Sequence, residues 1–511
     1  MSPHTRTRTG CWTCREAGYK CDEKKPYCGR CTRLKITCKG YGIKFKWKTT
    51  TSAPTSTRQS RRNEGRRSVD TKSKSSPIPT IGISSAPAAI ETVMETLGIN
   101  SPQTWTYETT LLPAIDLSVD ADLSFGDKRL LNYWTEHLSS LISVTPRQGQ
   151  LSPFQQHLTF MASYPGALRS TVLSMAANHL ALISNNPSLR IHAYRHQRDA
   201  IHLLQQLIQE PTETCSDPAL ATVLMMQISA RLFGGEDTEP QVANHLIGAK
   251  AMVTRRGGLA AWSASSSAQF LLSLLAYHDI LSSVSRGTRP LLEHYSQFTA
   301  VEGVSSMQSI ATVLHVVARI SELQEIARLT RNPTENPSLS ALFQTNGSEI
   351  EAMLKSLDFT TLSSNGIEAT AESNDIRLTA EAYRHAAFIY LYRVWLDIGA
   401  PNRTTLHHVQ ECIACIAQIS FESPLATSHT WPLFTAGCEA INDDQRQFVR
   451  HRFLDMFHTR KFPSLLRIIR DIEDVWIAKD TEHIVSGEDG MTKVDCIQVI
   501  LRRRKREVDL A

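Results

Sequence analysis

"GCWTCREAGYKCDEKKPYCGRCTRLKITCKGY", residues 10–41, carries six of the chain's eleven cysteines. They stand at Cys11, Cys14, Cys21, Cys28, Cys31 and Cys38, in the pattern C-x2-C-x6-C-x6-C-x2-C-x6-C. The second half repeats the first, "CWTCREAGYKC" against "CGRCTRLKITC". Each C-x2-C turn can set two sulfurs on one side of a cation. The third cysteine of each half closes in after six intervening residues.

Thiolates in fours suit the tetrahedral preference of zinc. Two separate sites would need eight cysteines, and one zinc per half would be left three-coordinate. Two zincs sharing two thiolates need six, so the arithmetic favours one binuclear cluster. Such a cluster is closed, with no open position for substrate, and is therefore structural. A disulfide framework would need an oxidising compartment. The opening "MSPHTRTRTG" has no apolar stretch of the secretory kind. The longest apolar run, "FLLSLLAY" at 270–277, falls far short of the ~20 residues of a membrane helix. The reading is an intracellular chain with no membrane partner. Two independent redox pairs would leave Cys21 and Cys38 without a role. The segment has almost no apolar residues to pack, so the metal must hold it together.

The cysteine spacing throughout, with the flanks "CWTC", "KCDEKKPYC", "GRCTRL" and "CKGYGIKFKW", resembles the fungal binuclear zinc cluster transcription factors. The resemblance implies two zinc ions bridged by the first cysteine of each half, Cys11 and Cys28, with Pro26 turning the chain between the halves. It also implies a short helix in each half, the end of the first entering the DNA major groove. In that family the segment between the second and third cysteines is crowded with Lys and Arg, which match guanine O6 and N7. Here the segment is Arg15, Glu16, Ala17, Gly18, Tyr19, Lys20. Arg15 and Lys20 match basic positions and are expected DNA contacts, but the base-reading positions fall on Ala17 and Gly18. Three outcomes follow. The leading one is altered specificity, with Gly18 allowing close backbone approach, Ala17 touching a thymine methyl and Glu16 accepting from cytosine N4. The second is weak specificity, with phosphate grip and DNA shape carrying selection. The third is a purely structural cluster.

Charge argues against the third. Residues 1–48 hold 13 Lys and Arg against 3 Asp and Glu. Arg6, Arg8, Lys24, Lys25, Arg30, Arg33, Lys35, Lys44, Lys46 and Lys48 are candidates for phosphate contact. Any one of them is as readily a solvated surface charge, but as a group they favour duplex binding. The overall charge of +5 conceals this asymmetry. Residues 1–75 carry 20 basic against 5 acidic side chains, and the remainder 35 against 45. One end is built to meet a polyanion.

Residues 49–119 are rich in Ser, Thr, Pro and Arg and poor in large apolar residues, the composition of a disordered linker. "RQSRRNEGRR" (58–67) and "LRRRKRE" (501–507) are basic clusters that suit nuclear import, further phosphate grip or simple solvation. No a/d apolar repeat runs over three heptads, so a monomer, or a dimer through the large domain, is expected over a zipper.

From about residue 120 the apolar spacing is helical. The segments 127–144, 167–184, 193–210, 217–233 and 379–398 read as helices, and strand-like alternation is almost absent. "FGGED", "RRGG", "NPTENPS" and "GAPN" read as breaks. The fold class is mainly α: a zinc-cluster module (1–48), a linker (49–119), an all-helical domain (120–480) and a basic C-terminal segment (481–511). The blocks "NHLIGAKAMVTRRGG" (244–258) and "TWPLFTAGCEA" (430–440) resemble the regulatory domain of a subset of the same factors. There the domain controls activation and senses small molecules.

Other pairings read more plainly as packing. Cys412 and Cys415, near His407 and His408, could ligate a metal on one helix face, but small buried core residues fit better. His278 and Asp279 suit a packed or capping role over a catalytic pair. Cys215, Cys438 and Cys496 are isolated in sequence. The aromatics of "FIYLYRVW" fit helix packing. No P-loop, dinucleotide fingerprint, H-E-x-x-H or G-x-S-x-G occurs. The resemblance implies a nuclear, zinc-dependent regulator that is no enzyme, binding double-stranded DNA and responding to transcription machinery or a small-molecule effector. Its genes would form a metabolic or biosynthetic set. The rival readings are a transcriptional cofactor with a structural cluster, and an enzyme seated in the helical domain.

Overall fold

Helices begin and end where the sequence supplies caps and breakers. The computed structural model describes residues around the six cysteines, then residues 123–143, 151–210, 213–234, 241–262, 265–292, 305–329, 337–359 and 371–486, with Cys496 and Leu510. Expectations for the linker and for the basic clusters at 58–67 and 501–507 lie outside the described residues. The chain divides into two compact units, Met1–Ile81 and Gly82–Ala511. No strand occurs among the described residues, as helical periodicity predicts.

In the first unit, α1 spans Gly29–Arg33 and begins at Cys28, whose sulfur accepts a hydrogen bond from Cys31 N. The five innermost cysteines are the core here, with Cys38 packed against them. Tyr19, Leu34 and Ile36 stay exposed.

Among the described residues of the second unit the first helix is α2, Phe125–Tyr133, capped by Ser124. The periodicity predicts one helix over 127–144. Instead α2 runs into a π-helical turn, Trp134–Leu138, before Ser139–Leu141. The turn keeps both Trp134 and Leu138 buried. The Thr135 carbonyl accepts from Ser139 Oγ at 3.0 Å and Gln155 Nε2 at 2.6 Å, so it has partners outside the regular ladder. Helix α3, Pro153–Ser163, follows behind a capping box in which the side chains of Ser152 and Gln155 satisfy each other's backbone N–H groups.

Helix α4, Ala167–Ser184, is apolar on most faces and correspondingly buried on most of them. Helix α5, Pro187–Gln209, starts with Pro187 behind an Asn186 cap and buries only Ala193 and Ala200. These small residues let α5 lie close on α4, and Ser174 Oγ donates to the Ala193 carbonyl at 2.9 Å. Helix α6, Asp217–Phe233, is capped by Ser216. Helix α7, Gln241–Arg255, ends at Gly257 and Gly258, whose φ of 113° and 81° only glycine adopts readily. The predicted "RRGG" break falls there.

Helices α8 (Ser266–Arg286), α9 (Ser305–Leu329), α10 (Pro337–Ser356) and α11 (Ala371–Trp395) complete the middle of the unit. Helix α12 (Arg403–Ala417), a 3₁₀ turn (Pro424–His429), α13 (Thr430–Glu439), α14 (Asp443–Arg460) and α15 (Pro463–Ser486) follow. Helix α11 is the hub, packing on α9, α10, α12 and α13. Its aromatics Tyr383, Phe388, Tyr390 and Tyr392 are buried, and Tyr390 and Tyr392 donate to Gln324 of α9 and Glu351 of α10, both at 2.8 Å. Trp134, Trp262, Trp431, Tyr383 and Phe453 are fully buried in one continuous core. Among the described residues no helix is long and apolar enough to cross a membrane.

Candidate metal centre and nucleic-acid interface

The seventeen-residue internal repeat of the sequence is also a repeat of geometry. Cys14 N donates to Cys11 Sγ at 3.4 Å, and Cys31 N donates to Cys28 Sγ at 3.3 Å. Tyr19 N reaches the Cys14 carbonyl at 2.9 Å, and Ile36 N reaches the Cys31 carbonyl at 3.1 Å. The same local turn is therefore built twice, and it converges the thiols of both halves. Asp22 ties the halves together by accepting Gly29 N on both carboxylate oxygens at 2.9 Å.

Two groups of four sulfurs result: Cys11, Cys14, Cys21 and Cys28, and Cys11, Cys28, Cys31 and Cys38. Within each group the sulfurs lie within 4.8 Å of one another, and Cys11 and Cys28 belong to both. Cys11 Sγ is 3.5 Å from Cys28 Sγ and 3.8 Å from Cys31 Sγ, and Cys14 Sγ is 3.7 Å from Cys28 Sγ. A disulfide would require about 2.05 Å. A zinc tetrahedron with Zn–S of about 2.3 Å has sulfur–sulfur edges of about 3.8 Å. The donor set thus fits two tetrahedra sharing the edge between Cys11 and Cys28. Burial pushes the Cys28 thiol up to about 12 and raises Cys11 as well. Thiolates here call for a compensating cation.

Of the basic residues expected at DNA, Lys24 and Arg33 are exposed and Arg30 is half-buried. Arg30 is engaged within the module: its guanidinium sits 3.9 Å over the Tyr19 ring and donates to Cys14 Sγ at 3.9 Å. Arg8, Arg15, Lys20, Lys25 and Lys35 lie outside the described residues, as do Glu16, Ala17 and Gly18. The Asp22–Gly29 tie was missed by sequence reasoning. Its only signal is an acid next to the third cysteine and a glycine next to the fourth.

In the helical unit the tempting pairs resolve as packing. Cys412 is fully buried on α12, its sulfur 3.4 Å from the Ala382 carbonyl and 3.6 Å from the Pro432 carbonyl. His408 stacks on Phe388 with ring centroids 4.5 Å apart and shares a 2.9 Å hydrogen bond with His385. Burial brings His385 down to about 3 and His408 to about 4, so both are neutral. Asp279 is fully buried and accepts Leu292 N at 2.8 Å and Arg286 at 3.2 Å, a structural clasp. Cys438 and Cys496, isolated in sequence, meet in the core, where Cys496 Sγ approaches the Cys438 carbonyl at 4.0 Å.

The family model described as "Fungal specific transcription factor domain" matches residues 129–508, and "Fungal Zn(2)-Cys(6) binuclear cluster domain" matches residues 9–48. That cluster domain binds two zinc ions through cysteines. The chain is similar over most of its length to "Pestheic acid cluster transcriptional regulator 3" of Pestalotiopsis fici, 23% identical with 94% of this chain and 96% of the relative covered. "Arginine metabolism regulation protein II" of Saccharomyces cerevisiae is 50% identical over 42 residues, 8% of this chain and 5% of that protein. "White-opaque regulator 2" of Candida albicans is 61% identical over 36 residues, 7% of this chain and 8% of that protein. No solved structure matches the chain.

Proposed function

We propose that this chain, which belongs to the fungal-specific transcription factor family, acts in the nucleus as a zinc-dependent DNA-binding regulator of a metabolic or biosynthetic gene set. The observation that carries this reading is the pair of four-sulfur groups sharing Cys11 and Cys28. All six cysteines ligate zinc, with Cys11 and Cys28 bridging. With the metals bound, the repeated turns are rigid and the basic rim is held in one arrangement. Arg15 and Lys20 contact DNA from the first half, and Arg8, Lys24, Lys25, Arg33 and Lys35 grip phosphate. Arg30 orders Tyr19 beside the cluster and supports that surface from behind. The helical unit tunes activity through a small-molecule effector or a protein partner and carries no catalysis. The relative matched over 96% of its length is named a pestheic acid cluster transcriptional regulator, which supports the assignment of the gene set.

One observation favours a second reading. Ala17 and Gly18 offer no side-chain donor, and Arg30 is turned onto Tyr19 and Cys14. The cluster would then be a structural module with little sequence preference. Selection of random duplexes with the zinc-loaded full chain, at two salt concentrations, separates the two. Enrichment of a defined motif supports the sequence-reading regulator, and a motif without the guanines that Lys and Arg read in the family means that Glu16, Ala17 and Gly18 change the code. Salt-sensitive binding with no motif supports phosphate grip alone. Absence of duplex binding at physiological salt refutes the DNA-binding reading.

A further inference from the structure

The helical unit holds a partly open cavity of about 150 Å³ between α3, α6, α8, α14 and α15. Phe154, Ile228, Phe270 and Leu465 give it apolar walls. Its polar residues are unusual in sign. Arg231, His278 and Arg460 line it, and among the described residues no Asp or Glu does. Arg460 is 5% exposed, yet none of its partners is a carboxylate: Nε donates to Thr427 Oγ1 at 3.0 Å and one terminal nitrogen to the Ser423 carbonyl at 3.5 Å. The other terminal nitrogen is shielded from solvent and has no hydrogen-bond partner. The charge that acts on it is another cation, Arg452. His278 is 2% exposed, and its Nδ1 is likewise unpartnered.

A buried guanidinium without a counter-anion is costly to the fold. An apolar cavity of this volume takes a single six-membered ring. One class of ligand answers both features. We propose that this cavity binds a small aromatic or alicyclic monocarboxylic acid, its ring among Phe154, Ile228, Phe270 and Leu465 and its carboxylate on Arg460. Thr430 and His278 also line the site and supply the remaining hydrogen bonds. Charge-assisted bonds from the fork of Arg460 select the acid over its neutral isosteres. The inference rests on the reading of the helical unit as the regulatory part, and it gives the effector a place and a chemical class.

The test is calorimetric titration of the zinc-loaded full chain, without DNA, with benzoate, phenylacetate and cyclohexanecarboxylate and with the matching amides. One acid molecule per chain is expected, with each amide bound about ten-fold or more weakly, the value of a lost charged hydrogen bond. Arg460→Gln should lose the preference for acid over amide. Ser273→Phe, which fills the cavity from α8 without touching its charge, should abolish binding. If none of the acids binds, if acid and amide bind alike, or if Ser273→Phe binds as the unaltered chain does, the inference is overturned. Should Arg460→Gln fail to fold, Ser273→Phe and the acid–amide comparison still decide. Duplex selection on the same protein is independent of these titrations, so loss of one result leaves the other standing.

Discussion

Replacing Glu439 by alanine should cost the helical unit much of its stability. Glu439 ends α13 and is fully buried. One carboxylate oxygen takes Arg393 of α11; the other takes Lys479 of α15 and Ala400 N at 2.8 Å. The side chains of Arg393 and Lys479 are only 15% and 10% exposed. Alanine would take the carboxylate away from two largely buried cations, of which Arg393 still reaches Cys496 Sγ at 2.9 Å, and would leave the Ala400 N–H without this acceptor. Breaking a buried pair from one side costs about 3–5 kcal/mol, and an orphaned donor adds about 1–3 kcal/mol. Against a total stability of about 5–15 kcal/mol, the variant should be close to unfolding. Urea denaturation followed by tryptophan fluorescence measures this, with Asp199→Ala as control. Asp199 pairs with Arg198 on the surface, at 45% and 76% exposure, and its loss should cost under about 1 kcal/mol. Burial raises the Glu439 pKa, but Arg393 and then Lys479 outweigh burial and hold it below the usual carboxyl range. Its contribution is therefore complete above the unfolded pKa of about 4.3 and is lost as pH falls through the folded value. A cost for Glu439→Ala no larger than that of the control would refute the argument.

Two further outcomes are expected. Cys14 belongs to one thiol group and Cys11 to both, so Cys14→Ser should retain about one zinc per chain and Cys11→Ser none; elemental analysis of the purified variants checks this, and equal metal loss in both would count against the shared edge. A Cβ on Gly347 would overlap the Trp395 indole, and displacing the ring would strain its 2.9 Å hydrogen bond to Gln344. Gly347→Ala should therefore destabilise by about 1–3 kcal/mol, seen as a lowered melting midpoint, despite the higher helix propensity of alanine.

The metal centre was legible because its information is local. Six cysteines of one type, repeated at an offset of seventeen, leave little freedom in how the thiols can group. Helices α4 and α6 were legible for the same reason: Ala167–Ser184 and Asp217–Phe233 carry their periodicity, caps and breakers within one stretch. The rest depends on residues far apart in the chain. The block "TWPLFTAGCEA" stands out in sequence, but Glu439 gains its meaning from partners 46 and 40 positions away. The π turn in α2 arises from neighbours as well, since Gln155 of α3 takes the Thr135 carbonyl. The cavity could not be read at all, because no one helix carries more than a few of its walls.

Sharing two thiolates between two metals also fixes the charge at the centre of the module. Six thiolates around two divalent ions leave the core with a formal charge of −2. The side chains of residues 1–48 carry a net +10, so the loaded module is about +8. Once a chelator removes the metals, the freed thiols regain protons at neutral pH, and the segment returns to about +10. Demetallation thus makes this end of the chain more cationic while dissolving its shape. Low-salt attraction to any polyanion should survive chelation, whereas discrimination among duplexes should not. A retardation assay at low ionic strength alone would mistake the unravelled segment for a working one.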